Sequence, residues 1–339
     1  MIPVAASARI PLTALGFVGS DLRRPECVLC TAAGDILAAD WRGGVTRIAA
    51  DGRQQTIVGV HPDGGPLQPN GIGLAADGSM LVAHLGPTAG GVFRLGAKGA
   101  VTPVLREIEG KPLPPTNFVL EDHAGRLWIT VSTWLSPRAL GYRADVADGF
   151  VILMDARGAR IVADGLGYTN ELALDPSGEW LWVNETFGRR LSRLRIHADG
   201  SLGPRETVTT FGAGLFPDGL AFDAEGQAWV VSIVSNSIVR VAPDGTQALM
   251  LEDADREFVA WVEAAYVAGE MGRPHLDRAA GSVLRNISSI AFGGTDLSNA
   301  VLGCLLDQRL PTFRAPVPGH PPVHWNRRAT LFDHGPNAR

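Results

Sequence analysis

The chain has 339 residues, 45% of them hydrophobic, and a formal net charge of −5 at pH 7. This length can hold two average domains or one large all-β domain, and scattered arginines in an acidic chain argue against nucleic acid or an anionic membrane as partner. Three cysteines, no leader sequence and no run of about 18 apolar residues lead us to expect a cytoplasmic protein without disulfides or membrane spans. The cysteines, which we expect to be buried thiols, are Cys27, Cys30 and Cys304.

A short pattern recurs six times along the chain, and each copy begins with a polar residue followed two positions later by an apolar one. In the first five copies a glycine stands eight positions after the polar residue, and the steps between copies are 44, 47, 53, 48 and 70 residues. Self-similarity at this period is typical of repeat architectures such as propellers. The six polar residues are Glu26, Asn70, Asn117, Asn170, Asp218 and Ser288.

Each copy of the pattern predicts short strands separated by turn residues. Second strands are predicted at residues 36–41, 127–133, 180–184 and 228–232, and third and fourth strands follow within each unit. Six units of four strands, with no long helices between the strands, describe an all-β fold, a six-bladed β-propeller. We assign residues 1–339 to one such domain.

One segment, residues 252–285, lengthens the last step between copies. Apolar residues recur there at roughly helical spacing, acidic residues precede them, and Gly272 and Pro274 follow, which predicts a helix of about four turns between blades five and six. Packing against the side of the propeller and covering the channel mouth both remain open for this insertion. The apolar residues are Phe258, Trp261, Val262, Ala265 and Met271.

The six polar residues are expected to meet around one mouth of the central channel, because they begin the innermost strands of the blades. The second strand of each blade returns to the same mouth and adds Trp41, His84, Trp134 and Glu185 as walls of a pocket. Glu26, Asn170 and Asp218 form the best ligand set for a metal. Two carboxylates balance a divalent cation and an amide adds a neutral oxygen, which suits Ca²⁺, Mg²⁺ or Mn²⁺, with Zn²⁺ or Fe²⁺ possible.

Four segments resemble the SMP-30/gluconolactonase/regucalcin family, and the resemblance covers about residues 20–320. It implies a six-bladed propeller with one divalent metal on its axis and the hydrolysis of lactones, often sugar lactones. By motif, Glu26, Asn170 and Asp218 correspond to the metal ligands. Asn117 corresponds to a contact with substrate and with water at the metal, and Asp218 can double as general base. The four segments are Arg24-Pro-Glu26, Pro115-Thr-Asn117, Tyr168-Thr-Asn170 and Phe216-Pro-Asp218-Gly219. Two further segments, Trp41-Arg-Gly-Gly-Val45 and Ala291-Phe-Gly-Gly294, resemble the same family.

Two residues depart from the pattern of this family. Pro115 stands where many sugar-lactone members carry an arginine, and Glu171 stands where glycine is common. Together with aromatic residues near the mouth, Pro115 predicts a less hydroxylated lactone. Glu171 is either one half of a surface ion pair or a second carboxylate near the metal. The candidate substrate-binding residues are Asn117, Asn70, His84, Trp41, Trp134, Tyr168, Glu171 and Glu185.

The sequence therefore predicts a divalent-metal-dependent lactonase that opens a cyclic ester to a hydroxy acid. Asp218 would accept a proton from the attacking water and Asn117 would orient substrate or water. Two alternatives stay open, a strictosidine-synthase-like propeller enzyme and a non-catalytic calcium- or ligand-binding protein of the regucalcin type. The expected partner is a small lactone, and the chain is expected to be a monomer or a weak homo-oligomer.

Overall fold

The fold is a six-bladed β-propeller, as the repeats predict. A computed structural model describes residues 9–278 and 280–333, and its principal strands form six four-stranded antiparallel sheets in chain order. Residues 1–8 and 334–339 of the predicted domain, and residue 279 of the predicted insertion, lie outside the described residues. No helix within the described ranges has the length and apolar character needed to cross a membrane.

The first three blades follow the predicted strand order from the channel outward. Blade one holds Val28–Cys30, Ile36–Asp40, Gly44–Ile48 and Gln54–Val58. Blade two holds Pro69–Leu74, Met80–His84, Val92–Leu95 and Val101–Leu105. Blade three holds Thr116–Glu121, Leu127–Val131, Gly149–Asp155 and Gly158–Leu166.

The remaining blades continue the same order. Blade four holds Thr169–Leu174, Trp180–Glu185, Arg190–Arg195 and Glu206–Thr210. Blade five holds Leu215–Phe222, Ala228–Val234, Ser237–Val241 and Gln247–Glu252. Blade six holds Ile287–Gly293, Asn299–Cys304, Leu310–Arg314 and, as its outermost strand, Gly16–Val18.

Blade six closes the ring by taking its fourth strand from the start of the chain. Gly16–Val18 pairs antiparallel with Leu310–Arg314, so blade six combines strands from both ends of the chain. The Ser288 hydroxyl also donates to the Glu26 carbonyl at 2.8 Å across the same junction. The repeats do not reveal this strand, because it lies before the first copy of the pattern.

The repeated glycines make the turns at the opposite ends of the inner strands. In blades one to five the glycine lies in the left-handed region, which an L side chain adopts only with strain. The φ values are +84° at Gly34, +82° at Gly78, +74° at Gly125, +70° at Gly178 and +75° at Gly226. In blade six, Gly294 and Leu297 have the positive φ values instead of Asp296.

Minor elements connect the blades. A two-stranded hairpin joins Glu107–Ile108 to Lys111–Pro112. Short 3-10 helices cover Leu12–Ala14, Ala97–Gly99, Arg138–Gly141, Arg273–His275 and Thr330–Phe332. The three cysteines are buried and unpaired, as expected.

The predicted insertion contains one α-helix, Arg256–Val267, shorter than the four turns expected. Asp255 caps its start by accepting from the Glu257 and Phe258 backbone N–H groups, both at 3.0 Å. The helix ends before Gly269, whose φ of +70° is typical of a helix C-terminus. Gly272 and Pro274 therefore lie beyond the end of the helix.

The helix packs on the mouth of the channel to which the polar residues point. Phe258, Val262 and Tyr266 are buried against a cluster that includes Tyr168, Phe187 and Phe216. Two contacts fix it to loops of blades four and five: the Tyr266 hydroxyl donates to the Phe187 carbonyl at 2.5 Å, and Glu263 accepts from the Gly214 N–H at 2.9 Å. Trp261, expected on the buried face, is instead 45% exposed. The structure thus favours a cover over the mouth, not packing on the propeller side.

Candidate active site

A β-bulge at the polar position shapes every inner strand from blade two to blade six. The pairing of each inner strand with its neighbour shifts register there, for example between Thr169 and Leu172 and between Pro217 and Leu220. A bulge leaves the extra residue unpaired and redirects its side chain. The same irregularity occurs between Pro69 and Ile72, Thr116 and Phe118, and Ile287 and Ser289. The polar residue of each of these blades is therefore held at the mouth by the same local device.

The three asparagines of this ring have their amide N–H groups bound to neighbouring protein atoms. The amide nitrogen of Asn170 donates to the Thr186 hydroxyl at 2.9 Å, that of Asn117 to the Ser132 hydroxyl at 3.2 Å, and that of Asn70 to the Asn117 carbonyl at 3.2 Å. Each side-chain oxygen is thereby left available. Among the described residues, Asn70 Oδ1 and Asn117 Oδ1 are buried without a hydrogen-bond partner.

Asp218 is buried in the ring, and its backbone is held by blade four. The Asn184 amide donates to the carbonyl oxygens of Asp218 and Gly219, both at 3.0 Å, and the Thr186 hydroxyl donates to the Pro217 carbonyl at 2.7 Å. Thr186 therefore touches both Asn170 and the segment of Asp218, and it links two residues of the predicted ligand set.

The electrostatics around Asp218 are those of carboxylates with too little compensating charge. Burial, followed by the charges of Glu26 and Glu171, raises the pKa of Asp218 well above its usual 3.8. Arg24 and Arg138 act in the opposite direction but do not outweigh these causes. A raised pKa from neighbouring carboxylates is the electrostatic signature of a site that a cation would stabilise.

Glu171 lies inside the channel, below the ring, and not in a surface ion pair. It is buried, and one of its carboxylate oxygens accepts from the Leu220 N–H at 3.0 Å. Burial raises the pKa of Glu171 to about 8, with Glu26 adding a smaller effect in the same direction. A cavity of about 250 Å³ lies next to it in the channel and is bounded at the far end by residues 320–324.

The donor atoms of the ring fit an oxygen-ligated divalent cation. Two carboxylates, Glu26 and Asp218, and the amide oxygen of Asn170 come from equivalent blade positions, and hard cations of this class take oxygen ligands. In residues 9–278 and 280–333 there is no group of three His, Cys, Asp or Glu side chains placed to hold a metal. The ring set is compatible with that finding, because its third member is an asparagine.

Two arginines accompany the carboxylates at the mouth. Arg24 forms an ion pair with Glu26 at 2.6 Å, and its guanidinium lies over the Trp41 ring at 4.3 Å from the centroid. Arg138 donates from Nε to the Tyr168 hydroxyl at 2.7 Å. Its charge also acts on Asp218 and on Arg24. The mouth therefore mixes buried carboxylates with guanidinium groups.

Trp41 and Tyr168, two of the predicted pocket walls, contact these arginines. The Trp41 indole N–H donates to the Pro69 carbonyl at 2.8 Å, which fixes the ring beside blade two. Tyr168 directly precedes Thr169 and Asn170, and it packs edge-on against Tyr142 with ring centroids 5.4 Å apart. Both aromatic residues are thus held close to the ring of polar residues.

Two other predicted wall residues, His84 and Trp134, pack against neighbouring aromatic rings. His84 stacks on His61 with ring centroids 4.8 Å apart, accepts at Nδ1 from the Gln68 N–H at 3.0 Å, and packs against Phe93. Burial, with a smaller effect of His61, lowers the pKa of His84 to about 4. Trp134 stacks on Phe150 at 4.6 Å.

Glu185 uses its carboxylate within its own blade. It accepts from Arg190 Nε at 2.7 Å, from the Ser192 hydroxyl at 2.6 Å and from the Gly167 N–H at 2.5 Å. These contacts engage both carboxylate oxygens of a fully buried side chain, so Glu185 has no free oxygen to offer a substrate.

Sequence reasoning missed Arg24, Arg138 and Tyr142 as candidate site residues. Arg24 stands in the segment that carries the family resemblance, but it has no repeat equivalent. Arg138 and Tyr142 lie in the connection between Leu127–Val131 and Gly149–Asp155, the longest link between second and third strands of a blade. The 53-residue step from Asn117 to Asn170 was the signal that could have drawn attention to this loop.

Comparison with known proteins places the chain in a family. Residues 41–253 match the family described as the SMP-30/Gluconolactonase/LRE-like region. The chain belongs to the SMP-30/gluconolactonase/LRE-like family. It is also 30% identical over 178 residues to a 6-deoxy-6-sulfogluconolactonase from Pseudomonas putida, a match that covers 51% of this chain. The match spans only 57% of that relative's length.

Solved structures share the fold. A gluconolactonase from Xanthomonas campestris superposes with a TM-score of 0.65 at 18% identity, covering 92% of this chain and 93% of that one. A calcium-binding protein, regucalcin, from Agrobacterium tumefaciens gives a TM-score of 0.63 at 17% identity, covering 92% and 97%. At 18% and 17% sequence identity, these structural similarities show a common propeller fold and do not by themselves indicate a common reaction.

Proposed function

We propose that this protein is a lactonase that depends on a divalent cation held by Glu26, Asn170 and Asp218. One observation carries the proposal. Around one channel mouth, asparagine N–H groups are bound to neighbouring protein atoms, while the amide oxygens, the Asp218 carboxylate and the Glu26 oxygen that is not paired with Arg24 remain for a cation. Two relatives support the substrate class, since one is a 6-deoxy-6-sulfogluconolactonase and one structural neighbour is a gluconolactonase. The regucalcin neighbour, described as calcium-binding, supports the cation.

The chain's own residues would divide the work as follows. Asp218 accepts the proton of the attacking water as the general base. Asn117 orients the water or the substrate through its unpartnered Oδ1. Tyr168 and the helix Arg256–Val267 cover the mouth and limit the access of bulk water. When bound, a divalent cation supplies Lewis-acid polarisation of the ester carbonyl.

The substrate is proposed to be a small lactone, and the site favours one with fewer hydroxyl groups than an aldonolactone. Pro115 offers no side-chain donor at the position where related sugar lactonases carry arginine. Trp41, which is only partly buried, supplies apolar ring surface at the mouth instead. Such surface binds carbon-rich rings and leaves sugar hydroxyls without partners.

A panel of lactones tests this proposal. We expect hydrolysis of lactones above the spontaneous rate, with kcat/KM for at least one less hydroxylated or aromatic lactone at or above that for gluconolactone. The assay follows acid release at constant pH, first after chelation and then with Ca²⁺, Mg²⁺, Mn²⁺, Zn²⁺ or Fe²⁺ added singly. Hydrolysis that survives chelation would remove the cation from the proposal. No hydrolysis of any lactone with any of the cations would remove the lactonase itself.

A further inference from the structure

Two guanidinium groups at the mouth each keep a buried nitrogen without a partner. Among the described residues, Arg24 Nη1 and Arg138 Nη1 are both inaccessible to solvent and lack a hydrogen-bond acceptor. The other contacts of each group are fixed, to Glu26 and Trp41 for Arg24 and to Tyr168 for Arg138. A buried donor without an acceptor costs free energy, and the cost is larger for a charged group. A ligand that places an acceptor here would remove that cost.

A third donor lies in the same cluster. The Tyr142 hydroxyl is buried and likewise has no hydrogen-bond partner within the described part of the chain. Its ring stacks on Phe187 at 4.6 Å and meets Tyr168 edge-on, so the hydroxyl has little freedom to turn elsewhere. Arg138 and Arg273 both act on Tyr142, which places it in the same positive field.

The balance of charge at the mouth points to an anion. Arg24 and Arg138 face three carboxylates, those of Glu26, Asp218 and Glu171. With the proposed divalent cation bound, the positive charges of the two arginines and the cation would outnumber the three negative ones. Uncompensated charge in a buried site is unfavourable, and a negatively charged group on the substrate would compensate it.

We propose that Arg24, Arg138 and Tyr142 form an oxyanion subsite, and that the substrate is a lactone carrying a carboxylate, sulfonate or phosphate group. The inference rests on the proposed lactonase function and narrows its substrate class. Guanidinium groups bind such oxyanions through directed, charge-assisted hydrogen bonds, and a tyrosine hydroxyl adds a further donor. Arg24 comes from the segment before the first strand of blade one and Tyr142 from a connection within blade three, so the subsite draws its donors from two blades.

The first test compares lactones that differ only in their terminal group. Wild-type protein is expected to hydrolyse 6-phosphogluconolactone, 6-deoxy-6-sulfogluconolactone or a glucarolactone with kcat/KM at least about tenfold above that for gluconolactone. Arg138→Met keeps the length of the side chain but removes the charge, and it is expected to reduce this ratio to near one, mainly through KM. Arg138→Lys should retain part of the preference. Arg94→Met, which removes a charge on the opposite face beside Asp77, should leave the ratio unchanged.

The second test does not need turnover. Inorganic phosphate is titrated calorimetrically into chelator-treated protein, where the arginines act without a cation. Saturable binding is expected for wild type and for Arg94→Met, at least about tenfold weaker in Arg138→Met, and partly restored in Arg138→Lys. Circular dichroism confirms that each variant is folded before it is scored.

The outcomes separate the subsite from the lactonase function. Phosphate binding that depends on Arg138, without hydrolysis of any lactone, supports the subsite and overturns the proposed function. Equal kcat/KM for neutral and anionic lactones, with phosphate binding unaffected by Arg138→Met, overturns the subsite and leaves the lactonase intact.

Discussion

Asp218→Asn is expected to lower kcat/KM for the best lactone by at least about 10²-fold, the lower range for loss of a general base. The substitution keeps the size of the side chain and one oxygen, but it removes the base and a negative charge from the ring. It should also weaken cation binding, because a hard cation loses an anionic ligand. Steady-state kinetics at saturating cation, together with cation titrations, measures the two effects separately.

The fold should survive Asp218→Asn, since the core between the blades does not involve this residue. Trp128 and Trp229, for example, are fully buried at equivalent places in blades three and five, and each indole N–H binds an aspartate. A control is Asp244→Asn, in the turn between the two outer strands of blade five, where the carboxylate accepts from the Thr246 N–H. Near-normal turnover of a folded, cation-loaded Asp218→Asn protein would rule out the base role and direct attention to Glu171.

Glu26→Gln is expected to have two large effects, one on the cation and one on stability. It removes the second carboxylate of the proposed ligand set, so cation affinity should fall along with activity. It also leaves Arg24 without its ionic partner at a place where both side chains are largely buried. Breaking such a pair costs at most about 3 kcal/mol of unfolding free energy here, because the substitution also relieves the repulsion between Glu26 and Asp218. Urea unfolding in chelator measures the second effect without the first.

A matched control for Glu26→Gln is Glu206→Gln, which breaks an exposed pair with Arg193 on the outer strands of blade four. Exposed pairs contribute little, so no measurable change in stability is expected there. In the double variant Glu26→Gln/Asp218→Asn, activity should fall little below that of the more severely affected single variant, because ligands of one cation act as a unit. Fully multiplicative losses would indicate that the two carboxylates act independently.

The repeat made the fold predictable from sequence. A polar residue, an apolar residue two positions later and a turn glycine eight positions later locate the inner strands, and the structure finds the turn glycines of five blades at positive φ. The four predicted second strands begin at the same residues in the structure, which are Ile36, Leu127, Trp180 and Ala228. Local physics dictates these features, since alternation and turn chemistry act within a few residues.

Features that depend on contacts distant in sequence were not predictable in the same way. The closing strand Gly16–Val18 carries no repeat signal, because its partner Leu310–Arg314 lies at the other end of the chain. The helix Arg256–Val267 could be predicted from spacing, but its position over the mouth follows from contacts such as Tyr266 with Phe187. Its buried face also differs, with Tyr266 inside and Trp261 largely outside.

The residues of the candidate site also differ in how far the sequence could predict them. Glu26, Asn170 and Asp218 were identified because equivalent positions of a ring converge, which is a property of the repeat. Arg138 and Tyr142 come from a connection that occurs in one blade only, so periodicity is silent about them. Glu171 shows a third case: its identity drew attention, but only the bulge in its strand and the Leu220 contact place it inside the channel.

The most direct test of a cation-dependent lactonase is the cation content of gently purified protein, measured by elemental analysis on wild type, Glu26→Gln and Asp218→Asn. We expect about one divalent ion per chain in wild type, strongly reduced content in both variants, and lactone hydrolysis that is lost on chelation and regained when the same ion is returned. A wild-type protein that contains no divalent ion, and binds none when Ca²⁺, Mg²⁺, Mn²⁺, Zn²⁺ and Fe²⁺ are offered, would contradict it.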